Sequence, residues 1–398
     1  MTVFAITNVL PPDAATLTSN ETALRVGRST IVVRDGVIER TGAQALIPDD
    51  AARIDCGGLL IAPGLIDIHV HGGGGHSLMT DDPAEVRAYA RWVVRHGVTG
   101  FLISTSGRDH AEILHRLRAL APTVGREPGA ARVLGFHLEG PYINPKRKGA
   151  FDPRWLRPPS ADEYRELFEA SGGAIRQMTL APELPGAEAL IRAVVDSAAT
   201  AAMGHTDATY DEARRAIDLG VSHVTHCFNA MRPFAHRDPG VLGAVLESDL
   251  VTAELIGDGA HVDYAAARVL VRAKGIDRVV LVTDGMPLAG TADGEAEWEG
   301  ERIRVEGGKA VRDDGTIVGG VTTLDRMVRN AVEQMGVAPE DALRMGSRNG
   351  AAAVHIGREQ GGGALDPGDA ADFVLLDDAL RVVETWVGGE RVWTRAEL

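Results

Sequence analysis

Eight short apolar segments alternate with helix-patterned segments through the middle of this 398-residue chain, and that alternation constrains the fold more than any other feature. The strand candidates are 65–70, 100–104, 133–138, 177–180, 201–204, 221–225, 251–256 and 279–282. Between most of them lie amphipathic stretches such as PAEVRAYARWVVRHG, DHAEILHRLRAL, ADEYRELFEAS and YDEARRAIDLG. Eight β/α alternations over roughly 230 residues match a (β/α)8 TIM-like barrel in size and rhythm. A doubly wound parallel sheet has the same alternation, so closure is an expectation at this point.

Both ends of the chain read differently. Residues 1–60 contain short strands broken by turns, as in STIVVRDGVIER with its Asp35-Gly36 turn. The segment DPGDAADFVLLD followed by LRVVETWVGGERVW reads as three short strands with a Gly388-Gly389 turn. The expectation is an α/β protein in which 1–60 plus 360–398 form a small β-sandwich domain and 61–359 form the barrel. The irregular stretch 285–320 reads as a hairpin inserted after the eighth strand.

Composition narrows the function. The formal net charge is −15, from 41 Lys plus Arg against 56 Asp plus Glu. A binder of the nucleic-acid backbone carries a basic excess, so no nucleic-acid partner is expected. No apolar run reaches the length of a membrane span, and the N-terminus lacks a basic segment followed by a long apolar one, so neither a membrane partner nor a signal peptide is expected. Two cysteines, Cys56 and Cys227, cannot make a disulfide framework and fit a reducing compartment, the cytoplasm.

The residues that end the strand candidates carry the chemistry. The first ends in Asp67-Ile68-His69-Val70-His71, where period-2 alternation places Asp67, His69 and His71 on one face. The third ends in His137-Leu138-Glu139, the fifth in Gly204-His205, the sixth in Thr225-His226-Cys227-Phe228-Asn229, the seventh in Asp258-Gly259-Ala260-His261 and the eighth in Thr283-Asp284-Gly285. In a barrel these termini share one rim. Each alone has a plain structural reading: a surface histidine pair, a helix cap, a turn. Together they require at least five strands to end in a metal-type residue by accident. Imidazoles and carboxylates converging on one rim make a divalent-metal site. His137 shares a face with Glu139 and reads as a support for the ligands. His223 has the opposite parity from His226 and is expected to pack outward. Cys227 turns away from the His226 face and reads as a buried structural thiol. His76, His96, His110, His115, His236 and His355 lie on loops or helices and are given structural roles.

The series PGLIDIHVHG, HLEGP, GHT, THCFNAM, DGAH and VTDG, in that order, resembles the amidohydrolase superfamily and, within it, the N-acetylglucosamine-6-phosphate deacetylases. The resemblance runs nearly end to end. PG-x-ID-x-H-x-H marks the superfamily, and HLEGP with THCFNAM is the more specific pair. None of the four lysines (Lys146, Lys148, Lys274 and Lys309) ends a strand candidate, so a carboxylated-lysine bridge is absent and Glu139 is the natural anionic ligand.

The resemblance implies the following roles. Glu139, His205 and His226 hold the principal metal, and His69 with His71 complete a second site bridged by Glu139. One or two divalent ions are implied, with zinc the best match to N/O ligation and iron or cobalt the alternatives. His261 stabilises the oxyanion, and Asp284 relays a proton from water to the leaving amine. Asn229, Ala230 and Arg237 bind the phosphosugar; Ala150 and Phe151 occupy a contact position where some relatives carry histidine; Ile317, Val318 and Gly319 form another contact segment. Phe151 departs from that pattern because a phenyl ring donates no hydrogen bond. The implied small-molecule partner is a phosphorylated amino sugar, and a homodimer is implied because a loop of one subunit can reach its neighbour's site.

The implied activity is hydrolysis of the acetamide of N-acetylglucosamine 6-phosphate in amino-sugar catabolism. The competing readings are another amidohydrolase, such as an N-acyl-amino-acid deacylase, and a non-catalytic protein on an inactivated barrel. Arg237 and the NAM segment favour the phosphosugar, and retention of every ligand and of Asp284 argues against inactivation. Lys146, Arg147, Lys148 and Arg237 suggest that the field at the barrel mouth is set locally despite the global charge.

Overall fold

The computed structural model describes residues 2–10, 29–42, 45–298, 301–306 and 308–395. The eight alternations fold into one parallel eight-stranded sheet whose spatial order is the sequence order. We label its strands β1 (Leu65–Asp67), β2 (Val98–Thr105), β3 (Arg132–Glu139), β4 (Ile175–Leu180), β5 (Thr200–Met203), β6 (His223–Val224), β7 (Thr252–Ile256) and β8 (Val279–Val282). The sheet closes just beyond β1 and β8. There Asp284 N–H donates to the His69 carbonyl at 2.8 Å and His71 N–H donates to the Gly285 carbonyl at 2.8 Å. Closure therefore uses the main chain of candidate site residues, and this is a barrel rather than the open sheet.

Eight helices follow the eight strands: α1 (Pro83–Val93), α2 (His110–Leu120), α3 (Ala161–Ala170), α4 (Ala187–Asp196), α5 (Tyr210–Asp218), α6 (Gly240–Glu247), α7 (Tyr264–Lys274) and α8 (Leu324–Met335). Their starts are written in the sequence. Asp82 accepts from Ala84 N–H with Pro83 opening α1, and Thr209 and Glu212 form a reciprocal capping box on α5. The apolar stripe Val86, Tyr89, Ala90 and Val93 buries α1 against the barrel.

Inside the barrel the pattern inverts. A Gln177 Nε2 to Glu254 Oε1 hydrogen bond of 2.8 Å joins β4 to β7, which are not neighbours in the sheet, so it crosses the lumen. The lumen below the rim is thus partly polar. Ile66, Leu102, Leu134 and Val280 pack elsewhere with Ala351 of the short helix Arg348–Ala353 and with Val354 at its end.

The chain ends form two four-stranded sheets. One joins Val3–Val9, Ser29–Arg34, Val37–Gly42 and Ala52–Asp55; the other joins Leu60–Pro63, Phe373–Leu376, Val382–Val387 and Glu390–Thr394. Phe4, Ile6, Ile31 and Val33 from the first pack with Ile61, Phe373, Leu375 and Trp386 from the second, and Phe373 stacks on Trp386 at 5.3 Å. The Gly388-Gly389 turn has φ of 55° and 73°, the left-handed pair that a two-residue hairpin needs.

The sequence after β8 differs from its reading. Gly294–Trp298, Glu301–Glu306 and Lys309–Val311 form a three-stranded antiparallel sheet rather than a single hairpin, because the chain turns a second time around Gly308. Ile303, Val305 and Ala310 form a small core with Met286 and Val318, which fixes the following segment, Ile317–Gly319, over the barrel mouth. Among the described residues no helix is long and apolar enough to cross a membrane.

Candidate active site

The rim brings together two groups of ligand-type side chains. Glu139 at the end of β3 places Oε1 3.1 Å from His205 Nε2 and 3.1 Å from His226 Nε2, and the two imidazole nitrogens are 2.9 Å apart. Asp284 Oδ1 lies 3.3 Å from His69 Nε2 and 3.4 Å from His71 Nε2. Glu139 joins the groups, with Oε1 3.5 Å from His69 Nε2 and Oε2 3.1 Å from His71 Nε2. Each group keeps its three donor atoms within 4.8 Å of one another.

Backbone turns aim these side chains. His205, His226 and Asp284 have φ of 48°, 27° and 44°, and Phe228 and Ala230 follow at 81° and 51°. Left-handed backbone costs an L-residue about 1–2 kcal/mol, and the surrounding bonds must hold it. These breaks also correct two parity readings. His223 faces the lumen rather than the helices: it is fully buried, with Nε2 3.1 Å from Glu254 Oε1 and Nδ1 2.6 Å from Thr252 Oγ1. The left-handed turn at His226 resets the alternation after β6, so His223 and His226 both point inward. Asp67 leaves the face of His69 and His71, because regular strand pairing stops at Asp67. Its carboxylate accepts from Thr283 Oγ1 at 2.6 Å beside Tyr89 and Trp92, and burial pushes its pKa up to about 7.

The hydrogen bonds around the histidines fix where their lone pairs point. His205 Nδ1 lies 2.9 Å from the Arg147 carbonyl, which only accepts, so Nδ1 carries the proton and a neutral His205 has its Nε2 lone pair facing Glu139 and His226. His69 Nδ1 lies 2.8 Å from Glu254 Oε2, and its Nε2 is buried with no hydrogen-bond partner while facing two carboxylates. Lone pairs and anionic oxygens converging on one volume call for positive charge. Burial disfavours the cationic form of His71, yet hydrogen bonds to Asp284 and Glu139 outweigh it and push its pKa up to about 9. Burial likewise opposes ionisation of Glu139, but His69, His205 and His226 hold it well below the usual carboxylate range. A divalent cation satisfies this donor set: neutral imidazole nitrogens with carboxylate oxygens, the His69 and His205 rings braced from behind by Glu254 and the Arg147 carbonyl.

The remaining candidates, Arg237 excepted, lie around a cavity of about 210 Å³ above this floor. Ala150, Phe151, Asn229, Ala230, His261, Ile317, Val318 and Gly319 line it together with Asp284. His261 Nδ1 is 2.7 Å from Asp258 Oδ2; burial disfavours its charged form, but Asp258 prevails and its pKa is raised. Phe151 meets the His205 ring edge-on at 5.2 Å. Gly149, at φ 57°, lies so close that a Cβ would sit 3.0 Å from His205 Cε1. The inserted sheet braces this loop through Arg312, which donates to the Ala150 carbonyl at 3.2 Å.

Arg237 stands apart. It is exposed on the loop after Ala230 and does not line the cavity, whose lining holds no lysine or arginine among the described residues. Arg147 pairs with Asp207 at 2.7 Å, and the more exposed Lys146 shares the same carboxylate at 3.6 Å, so Asp207 offsets one of these two positive charges near the mouth.

The structure adds residues not singled out from sequence, Glu254 and Gln177 as supports and Met79, Ser106 and Trp155 in the cavity wall, and gives Asp258, read only as part of a strand end, the role of a support for His261. Glu254 had a signal, a lone carboxylate in the otherwise apolar strand VTAELI. His137 packs edge-on against His69 at 4.6 Å, with Ser104 and Thr179 hydroxyls on its two nitrogens. Cys227 is buried in the apolar layer.

The sequence profile of the Amidohydrolase family matches residues 60–392. The N-acetylglucosamine-6-phosphate deacetylase of Bacillus subtilis (strain 168) is 33% identical over 382 residues, covering 95% of each chain. The N-acetylgalactosamine-6-phosphate deacetylase of Escherichia coli O157:H7 is 36% identical over 358 residues, covering 90% of this chain and 93% of the other. Among solved structures, a mutant of N-acetyl-D-glucosamine-6-phosphate deacetylase from Mycobacterium smegmatis, in complex with N-acetyl-D-glucosamine-6-phosphate, superposes with a TM-score of 0.87 at 32% identity, over 99% of this chain and 100% of the other.

Proposed function

This chain belongs to the amidohydrolase family, and from that premise we propose that it hydrolyses the acetamide of N-acetylglucosamine 6-phosphate to glucosamine 6-phosphate and acetate. The observation that carries the reading is the pair of ligand groups on the floor of a cavity whose wall includes Asp284 and His261. When bound, a divalent cation at Glu139, His205 and His226, with a second at His69, His71 and Asp284, polarises a carbonyl and acidifies water. Zinc suits the nitrogen-rich donors, with iron or cobalt as alternatives.

The chain's own groups supply the rest. Asp284 takes a proton from the attacking water and returns it to the amide nitrogen, which leaves poorly unless protonated. His261, braced at Nδ1 by Asp258, offers Nε2–H to the oxygen that gains negative charge. The apolar wall of Phe151, Trp155, Ile317 and Val318 excludes water from the acyl and sugar faces.

The phosphate needs a cationic partner that the cavity lining does not provide among the described residues of one chain. Arg237 projects from an exposed loop beside exposed Phe234, which fits a homodimer in which one copy brings Arg237 to the other's cavity. Both cysteines are free and buried, in keeping with a reducing compartment, and we place the protein in the cytoplasm.

The test compares acetate release from N-acetylglucosamine 6-phosphate and from the unphosphorylated sugar. The reading predicts strong preference for the phosphate ester, and equal rates would overturn the phosphosugar assignment.

A further inference from the structure

Glu254 is a fully buried carboxylate in the middle of β7, outside the lining of the cavity. A charge in that position is costly unless its oxygens are saturated with donors. Here they are. Oε2 receives His69 Nδ1 at 2.8 Å and the His226 main-chain N–H at 2.8 Å. Oε1 receives Gln177 Nε2 at 2.8 Å and His223 Nε2 at 3.1 Å.

One oxygen therefore touches both ligand groups from below. Its bond to His69 fixes the Nδ1–H tautomer and leaves Nε2 facing Asp284 and Glu139. Its bond to His226 pins the main chain where φ is 27°, at the turn that aims His226 Nε2 at Glu139. Among the described residues no other side chain hydrogen-bonds to both groups from the lumen side.

We propose that Glu254 is a positioning residue that locks the two ligand groups into one unit by fixing the His69 tautomer and the left-handed turn at His226. The inference rests on the metal-site reading above. His69 depends on this carboxylate for its ring orientation, whereas His226 also meets Glu139 and His205, so the ion held by His69, His71 and Asp284 is the more sensitive of the two. What matters is the reach of the acceptor oxygen, because tautomer control is lost when the oxygen withdraws by a bond length.

Two variants separate reach from charge. Glu254→Asp keeps the charge and withdraws the carboxylate. Glu254→Gln keeps the reach and loses the charge, and its carbonyl can still accept from His69 and His226 if Gln177, whose Oε1 has no partner, turns its amide and His223 carries its proton on Nδ1, facing Thr252 Oγ1. The measurements are zinc affinity by chelator competition on purified full-length protein, the visible spectrum of the cobalt-loaded protein, and the thermal midpoint as a check on folding.

Positioning predicts that Glu254→Asp weakens the more labile ion about 10- to 100-fold and alters the cobalt spectrum, and that Glu254→Gln stays within about threefold. In turnover, kcat of the Asp variant falls while KM holds. A Gln variant weakened as much as the Asp variant, or an Asp variant that binds like wild type, overturns the positioning role and leaves the metal site standing. Wild-type protein that binds no divalent ion overturns the metal-site reading and this inference with it.

Discussion

Asp284→Asn isolates the proton relay. The perturbation exchanges one carboxylate oxygen for an amide and leaves the fold's constraints in place. Asp284 has φ 44°, a region that Asn occupies as readily as Asp. Its main chain stays fixed by Asp284 N–H to the His69 carbonyl at 2.8 Å and by Gly320 N–H to the Asp284 carbonyl at 2.7 Å. The side chain is 17% exposed, so little buried area changes. What changes is basicity, since an amide oxygen cannot take a proton from water near neutral pH. Loss of general acid–base transfer costs about 10²–10⁴ in rate, or ~2.7–5.4 kcal/mol at 1.36 kcal/mol per decade. The variant also removes the anionic oxygen 3.3 and 3.4 Å from His69 and His71, so the assay belongs at saturating zinc with metal content measured on the same sample. Steady-state acetate release should show kcat down by about 10² or more with KM little changed and the thermal midpoint held. A metal-loaded variant with kcat within tenfold of wild type would refute the role given to Asp284.

Two further perturbations test the frame around the site. In Gly204→Ala the new Cβ would lie 2.6 Å from Thr179 Cγ2 and 2.8 Å from Thr225 Cβ, in a lumen with no space to yield. We expect about 1–3 kcal/mol of destabilisation and weaker zinc binding through the adjacent His205; an unchanged melting curve would contradict that packing. In Asp325→Asn the variant loses a carboxylate whose pKa is held at about 2: burial raises it, but His96, with Nδ1 3.2 Å away, and Arg329, 2.9 Å away, lower it further. Against about 3.9 in the unfolded chain, the depressed value is worth about 2 kcal/mol above pH 4 and is lost as pH falls toward 2. Urea unfolding of both proteins should show that difference at pH 7 and its shrinkage below pH 4, and a gap that widens on acidification would exclude it.

The barrel was legible because its rhythm is local: short apolar strands, capped amphipathic helices and eight repeats. The residues read from strand ends lie together in the structure because parallel strands in sequence order must bring those ends to one rim. Parity failed where the strands stop being regular. β1 ends at Asp67 and β6 spans only His223–Val224, so counting by twos beyond them misplaced Asp67 and His223. No pattern announces that His226 will take φ 27°, since non-glycine left-handed residues are held by tertiary contacts such as the Glu254 bond. Glu254 itself was visible as a charge inside an apolar strand, but its meaning needed the lumen, which brings side chains from β4, β6 and the segment after β1 onto the β7 carboxylate. The third strand of the insertion was missed because LysAlaVal is too short to carry a period.

The central claim is that the converging histidines and carboxylates serve a divalent ion that the hydrolysis requires. The direct measurement is acetate release from N-acetylglucosamine 6-phosphate, with bound metal quantified on the same protein before chelation, after it, and after zinc is restored. The account predicts turnover that tracks the metal, vanishing in the stripped protein and returning with zinc while the fold persists throughout. A stripped, folded protein that still releases acetate at the original rate would contradict it.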